Sequence, residues 1–264
     1  MLLGLAVQNN IGLVDKSGKP CHFVEMPMKA PRLLMSDARA RGLGVSWRAG
    51  WSLMMADPAF LDSLDSVTLT SLQALARRYK PLALIVYMGY LFDAPLPGDW
   101  NETQQIIIGN VSRLNEVFSV PVLLENAPIG PGDAPKWSLG PDFMQQTLSG
   151  AGCGMALNLA HVLVNAEQLL LPAEQYLDEL PIEAVVQVRL SGVRFSPSRD
   201  ALYDARDTLT ERELGLLSHV LQRAKPKAIV LDYGGGDPVA VAAQMTLIRK
   251  VAGLPARSAT TTNF

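Results

Sequence analysis

Short apolar runs that stop abruptly in polar residues recur along this chain. Val120–Ala127 shows the pattern most plainly: Pro121 stands near its start, Val122-Leu123-Leu124 are apolar, and Glu125 and Asn126 follow at once. Such a run, bounded by turn signals, is how a strand buried on both faces reads. The same device predicts strands over Leu2–Val7, Cys21–Met26, Leu43–Trp47, Pro81–Met88, Gly154–Ala160, Ala184–Leu190 and Lys227–Leu231. Helical spacing fills the intervals. It covers Pro31–Arg41, closed by Gly42, and a stretch opened by Asp57-Pro58 and running to Tyr79. It continues over Glu102–Phe118, a helix near Pro141–Ser149, and Pro172–Leu180. Thr210 and Glu213 form a capping box for a helix to Ala224, and Asp237-Pro238 opens a last helix. Ile11–Pro20, broken by Gly12, Gly18 and Pro20, interrupts the repeat.

Eight strands alternating with helices predict an α/β fold, a (β/α)8 TIM barrel. One domain, residues 1–255, is expected, followed by a polar, disordered tail at 256–264. An open doubly wound sheet is the competitor, but the first turn lacks the G-x-G-x-x-G of its dinucleotide-binding form. In a parallel barrel, ligands bind where the strands end. The polar exits are Asn9, Glu25, Trp47, Arg48, Tyr87, Glu125, Asn126, Asn158, His161, Arg189 and Asp232, and all are expected at one mouth.

Composition narrows the choice. The 264 residues are 48% apolar, enough for one large core, and the net charge is −2. No basic field points to nucleic acid or to an anionic membrane. No apolar run reaches the length of a membrane helix, and the N-terminus lacks a basic signal region. Cys21 and Cys153 lie far apart and form no metal or disulfide motif. A soluble cytoplasmic protein is expected.

At the mouth, Glu25 and Glu125 are suited to acid–base work or to a hard cation, and Arg48 and Arg189 to clamping a carboxylate. Equally, these ends can satisfy one another, and a buried Arg189–Glu125 pair is one such expectation. Of the three histidines, His22 starts a strand and His219 lies in a helix, both structural positions. His161 alone falls near the mouth, too few imidazoles for an iron cluster. Gly234–Gly236 sits where late barrel loops hold phosphate, but Asp232 and Asp237 flank it and repel an anion, so a flexible turn is the plainer reading.

Val122-Leu-Leu-Glu-Asn-Ala-Pro128 and Gly152–Gly192, with Gly-Cys-Gly-Met-Ala-Leu-Asn-Leu-Ala-His, Tyr176–Pro181 and Val186-Gln-Val-Arg-Leu-Ser-Gly192, together resemble the DUF692 family. These are the multinuclear non-haem iron-dependent oxidative enzymes, which include the B component of methanobactin biosynthesis. The stretch Phe23-Val-Glu-Met26 fits the same template. The resemblance implies a TIM barrel that binds two or three irons at its mouth. Such barrels oxidatively remodel a ribosomally made precursor peptide, commonly alongside a recognition protein. It also implies that family ligands are replaced. An aspartate becomes Asn158, an asparagine His161, and two histidines become Arg189 and Val193. Tyr87-Met88 and Trp47-Arg48 stand where histidines are expected, and Asp204-Ala-Arg-Asp207 lacks the histidine of its Asp-Thr-His-Asp counterpart. Glu125 is retained, and Asp232 corresponds to the last-strand acid.

A fixed guanidinium where a metal cluster would sit costs several kcal/mol of repulsion even at a generous dielectric, on the order of the Coulomb estimate at close range. The expectation is therefore a metal-free member that lacks most of the metal ligands and carries no cofactor. It would act as a non-catalytic partner or peptide-binding component of peptide modification (RiPP biosynthesis). Its partners would be a precursor peptide, a protein of the same pathway, or both. The alternative is an active enzyme with a rebuilt mononuclear metal (iron) or acid–base site. Glu125, His161 and Asp232 would then be catalytic, with Arg48, Asn126, Asn158, Arg189, Glu25 and Tyr87 binding substrate. A sugar-phosphate enzyme using Gly234–Gly236 is a third possibility.

Overall fold

The computed structural model describes residues 1–7, 14, 21–30, 32–49, 55, 66–88, 99–128, 140–198 and 200–255. Among them, eight parallel strands close into a barrel: β1 (Leu2–Ala6), β2 (Phe23–Pro27), β3 (Gly44–Arg48), β4 (Leu84–Tyr87), β5 (Val122–Glu125), β6 (Gly154–Asn158), β7 (Val185–Leu190) and β10 (Ala228–Leu231). The strands follow one another in chain order around the barrel, and β10 pairs with β1 to complete it. An antiparallel hairpin, β8 (Gly192–Ser196) and β9 (Ala201–Asp207), leaves the barrel after β7. The helices are α1 (Arg32–Ala40), α2 (Ser66–Tyr79), α3 (Trp100–Val117), α4 (Pro141–Ala151), α5 (Leu159–Leu169), α6 (Ala173–Glu179), α7 (Glu211–Arg223) and α8 (Pro238–Val251). No described helix is long and apolar enough to cross a membrane.

Side-chain alternation along each strand makes two cores. The larger lies between sheet and helices and takes the outward residues, Trp47, Val86, Leu124 and Val188 among them. Inside the barrel, Ala83, Ile85, Leu123 and Ala156 form a small apolar layer with Val186 against it. Below that layer the Phe23 ring crosses the barrel floor. A Cβ on Gly4 would lie 2.4 Å from the ring, so β1 needs a glycine there. Above it, the inward ends of the strands carry charge.

The helix ends carry their own signals. Asp99 caps α3 by accepting from the Glu102 N–H at 2.7 Å. Thr210 and Glu213 form the expected capping box of α7. Two elements differ from the sequence reading. β6 stops at Asn158, where the run had been expected to continue to Ala160, and α5 begins at once. The cause is Asn158 itself, whose side-chain oxygen accepts from the Ala160 and His161 N–H groups as an N-cap. Leu159–Ala166 is buried around the whole helix, so no polar stripe faces solvent, and its two polar residues, His161 and Asn165, make buried hydrogen bonds. One side meets the barrel, and β9 packs on α5, with the Leu202 N–H donating to Glu167 Oε2 at 2.6 Å. That hairpin, not foreseen, joins α6, α7 and β7 in covering the helix.

Several expectations fall outside the described residues: Asn9, the broken segment after β1 apart from Val14, the Asp57-Pro58 helix start, and the tail from Ala256.

Candidate functional site

Arg48, the last residue of β3, points into the barrel and meets Glu125, the last residue of β5. Nε donates to Oε2 at 2.9 Å and Nη2 to Oε1 at 2.6 Å. Between them β4 presents Tyr87, whose ring lies 4.6 Å from the Arg48 guanidinium carbon. Trp47, one residue earlier, points the other way, into the core outside the sheet. Its expected place among the mouth residues is thus corrected: period-two alternation permits only one of the pair to face in.

A second cluster faces the first. Arg189 of β7 donates through Nη1 to Glu25 of β2, and through Nη2 to Asp232 Oδ2 at 2.5 Å. Gln187 donates to the other Glu25 oxygen at 2.8 Å. Arg206, from the end of the hairpin, approaches the same Asp232 oxygen with Nε at 3.1 Å, and Arg48 Nη1 lies 3.9 Å from it. The expected Arg189–Glu125 pair is therefore replaced by Arg48–Glu125 and by Arg189 with Glu25 and Asp232. The reason is geometric. Arg48 reaches Glu125 past one intervening strand, whereas Asp232 follows β10, the hydrogen-bonded neighbour of β7.

Asn126, Asn158 and His161 form the third group. Asn158 Nδ2 donates to Glu125 Oε1 at 2.9 Å and lies 3.1 Å from His161 Nε2. Asn126 exchanges two hydrogen bonds with the Asn158 backbone. His161 Nδ1 lies 2.6 Å from the Asn126 carbonyl, which can only accept, so Nδ1 carries the proton. Nε2 then either accepts from Asn158 or, protonated, faces Asp204 Oδ2 at 3.5 Å. Asp204 also accepts from Ser191 Oγ and from the Arg206 N–H.

Burial and charge act against each other throughout. Burial pushes the Glu125 carboxyl up, but Arg48, Arg189, His161 and the Asn158 amide outweigh it and hold it below its usual value. Asp204 follows the same logic: burial raises it, and the His161, Ser191 and Arg206 hydrogen bonds bring it well below the carboxylate range. Burial would strip the proton from Arg189, yet Asp232, Glu25 and Glu125 keep it charged. Burial, reinforced by Glu125, raises Tyr87 and keeps it a neutral phenol. Both oxygens of Glu25 and of Glu125 thus accept from protein donors, and the described mouth offers no unengaged carboxylate oxygen on either glutamate as a base.

Of the eleven residues expected at the mouth, all but Trp47 and the undescribed Asn9 are buried at this end of the barrel. Arg206, Asp204, Gln187 and Ser191 complete the network and were not singled out as site residues. The signal for the first two was the segment Asp204-Ala-Arg-Asp207, whose return to the mouth depends on the hairpin. His22 and His219 serve elsewhere: His22 Nδ1 accepts from the Leu3 N–H, and His219 pairs with Asp178. Gly234 packs on Arg206 and donates to its carbonyl at 2.7 Å, while the Asp237 carboxylate caps α8. That loop is thus a docking turn with its helix end already occupied. A cavity of about 350 Å³ opens at the opposite end of the barrel, lined by Phe23, Leu82, Leu123 and Cys153 among others. Burial pushes the Cys153 thiol up to about 11, so it is not a ready nucleophile.

Comparison with known proteins adds ancestry to this geometry. A profile of the family described as "RiPP precursor modification enzyme MbnB/TglH/ChrH" matches residues 59–246. A UPF0276 protein of Paraburkholderia phytofirmans is 28% identical over 189 residues, 67% of this chain and 61% of the relative. A UPF0276 protein of Bordetella pertussis is 27% identical over 192 residues, 67% of this chain and 65% of the relative. The chain thus matches less than two thirds of the length of these relatives. Among solved structures, 3-keto-D-glucoside 4-epimerase from E. coli superposes with a TM-score of 0.61 at 13% identity, covering 96% of this chain and 99% of that one. Endonuclease IV from Thermus thermophilus gives a TM-score of 0.61 at 16% identity, with 96% and 99% covered. At such identities the likeness is one of fold alone.

Proposed function

Because this chain belongs to the family of RiPP precursor modification enzymes MbnB/TglH/ChrH, we propose that it is a metal-free member that binds a precursor peptide without oxidising it. One observation carries this: the guanidiniums of Arg48 and Arg189 lie among the carboxylates of Glu125, Glu25 and Asp232 that would otherwise hold iron. A multinuclear site needs several anionic or imidazole donors with lone pairs free to face the metal. Here both oxygens of Glu25 and Glu125 face arginine or amide donors, and the ring nitrogens of His161 face Asn126, Asn158 and Asp204. Iron does not fit this donor set. Cations enough to balance the three carboxylates are already built into the protein.

The folded barrel then keeps the peptide-facing mouth of its family while the redox chemistry is gone. An active enzyme using Glu125, His161 and Asp232 as acid and base finds less support, since each is held by a neighbour. Expression in iron-supplemented medium followed by elemental analysis tests the reading. A chain with only trace iron agrees with it, and stoichiometric multinuclear iron contradicts it. Loss of a measured activity on a peptide or metabolite in Glu125→Gln would favour the enzyme instead.

A further inference from the structure

We propose that Arg206 and Arg48 form a binding site for a single carboxylate at the barrel mouth, a deepening of the metal-free reading on which it rests. The three guanidiniums of Arg48, Arg189 and Arg206 balance the three carboxylates of Glu25, Glu125 and Asp232, and Asp204 adds a fourth carboxylate beside them. The signs are unequally placed, however. The Glu25, Glu125 and Asp232 side chains are 1%, 0% and 4% exposed, whereas Arg206 is 30% and Arg48 10% exposed. Arg206 is thus the most exposed charge at this face, followed by Asp204 at 16%.

Donor capacity remains on the same two residues. Arg206 approaches Asp232 through Nε, and its two terminal nitrogens have no hydrogen-bond partner among the described residues. Arg48 has Nε and Nη2 on Glu125, while Nη1 stays 3.9 Å from Asp232 Oδ2, beyond hydrogen-bond distance. Arg206 through Nε and Arg48 through Nη1 both face Asp232 Oδ2, so the two guanidiniums border one carboxylate oxygen and a second oxyanion beside it can bridge their spare N–H groups. Backbone bonds fix the hairpin end: the Arg206 N–H donates to Asp204 Oδ1 at 3.1 Å and the Arg206 carbonyl accepts from Gly234 at 2.7 Å. Asp204, 16% exposed, is the carboxylate closest to this face, and it is turned toward Ser191, His161 and the Arg206 backbone. With Asp232 and Asp204 both nearby, a monoanion is tolerated and a dianion such as phosphate is repelled. On a peptide, the carboxylate is either an acidic side chain or the C-terminus.

Calorimetric titration tests the site with three short alanine-based peptides: one capped at both ends with a central glutamate, one with a free C-terminal carboxylate, and one fully capped and neutral. The iron content of the same sample is measured alongside. The expected result is binding of a carboxylate-bearing peptide, none of the neutral one, and weakening on the order of tenfold in Arg206→Gln, with a cooperative melting curve checking that the variant is folded at the titration temperature. The peptide that binds identifies the source of the carboxylate. Should Arg206→Gln fold poorly, Arg206→Lys keeps the charge but loses the fork, and weaker binding is again expected. Three outcomes overturn the site: no binding of either charged peptide, equal binding to the variants, or equal binding of inorganic phosphate at an alkaline pH where it is the dianion. In an iron-free sample these leave the metal-free reading standing. Binding that depends on iron and is abolished by chelation overturns both.

Discussion

Arg48 and Glu125 close on each other through two parallel N–H···O bonds at 2.9 and 2.6 Å, in a barrel where Glu125 has no solvent contact. Removing one partner leaves a buried charge without compensation. Arg48→Ala is predicted to cost about 3–5 kcal/mol, read by urea denaturation at neutral pH. Replacing both residues with apolar ones of similar size should recover most of that loss. A single-variant cost within a few tenths of a kcal/mol would mean the pair is hydrated.

Acid should loosen the mouth first. Glu125 and Asp204 both titrate below their unfolded values, so each contributes stability that is complete above the ordinary carboxylate range. That stability is lost as pH falls through the depressed folded values. Melting temperature should therefore change little from neutrality down to the ordinary carboxylate range and fall below it. Glu125→Gln should flatten the acid limb. A wild-type melting temperature that already drops steeply on approaching that range from above contradicts the assignment.

Asn158 stands where relatives are implied to carry an aspartate, and it donates to Glu125 Oε1 at 2.9 Å. Asn158→Asp keeps the helix cap but sets two carboxylates against each other. Burial and repulsion raise the folded value of the pair above the unfolded one, so stability should be present at low pH and fall as pH rises. Melting curves at mildly acidic and alkaline pH check this, and a variant more stable in alkali than in acid goes against it.

Gly192 turns β7 into the hairpin, where an added Cβ would sit 2.4 Å from the Thr208 carbonyl oxygen and 2.7 Å from that of Asp207. Backbone cannot yield as a flexible side chain does. Gly192→Ala should cost roughly 1–3 kcal/mol by overpacking and expose the outer face of α5, seen as increased dye binding. An unchanged melting temperature would show that the hairpin adjusts freely.

The barrel was readable from the chain because strands buried on both faces are short apolar runs. Val122–Leu124 and Leu84–Val86 announce themselves, and their polar ends mark the mouth. Leu159–Ala166 was not readable as a helix because it has no solvent-facing polar stripe, His161 and Asn165 being buried with the rest, and part of its cover is β9, beyond the next barrel strand. The partners of each charge were also hidden. Glu25 and Arg189 are 164 positions apart and meet only when the barrel closes. Local pattern states that both point inward, and closure alone decides which guanidinium meets which carboxylate. Arg206 was missed for the same reason: it reaches the mouth from the far end of β9.

Everything proposed turns on guanidinium groups occupying the place of iron. A crystal of this protein soaked in ferrous iron under anaerobic conditions, with data collected across the iron absorption edge, tests it most directly. The predicted map shows Arg48 on Glu125, Arg189 on Asp232, and no anomalous peak in the mouth. A strong peak bridging Glu125 and Asp232, with the arginines swung aside, would contradict it.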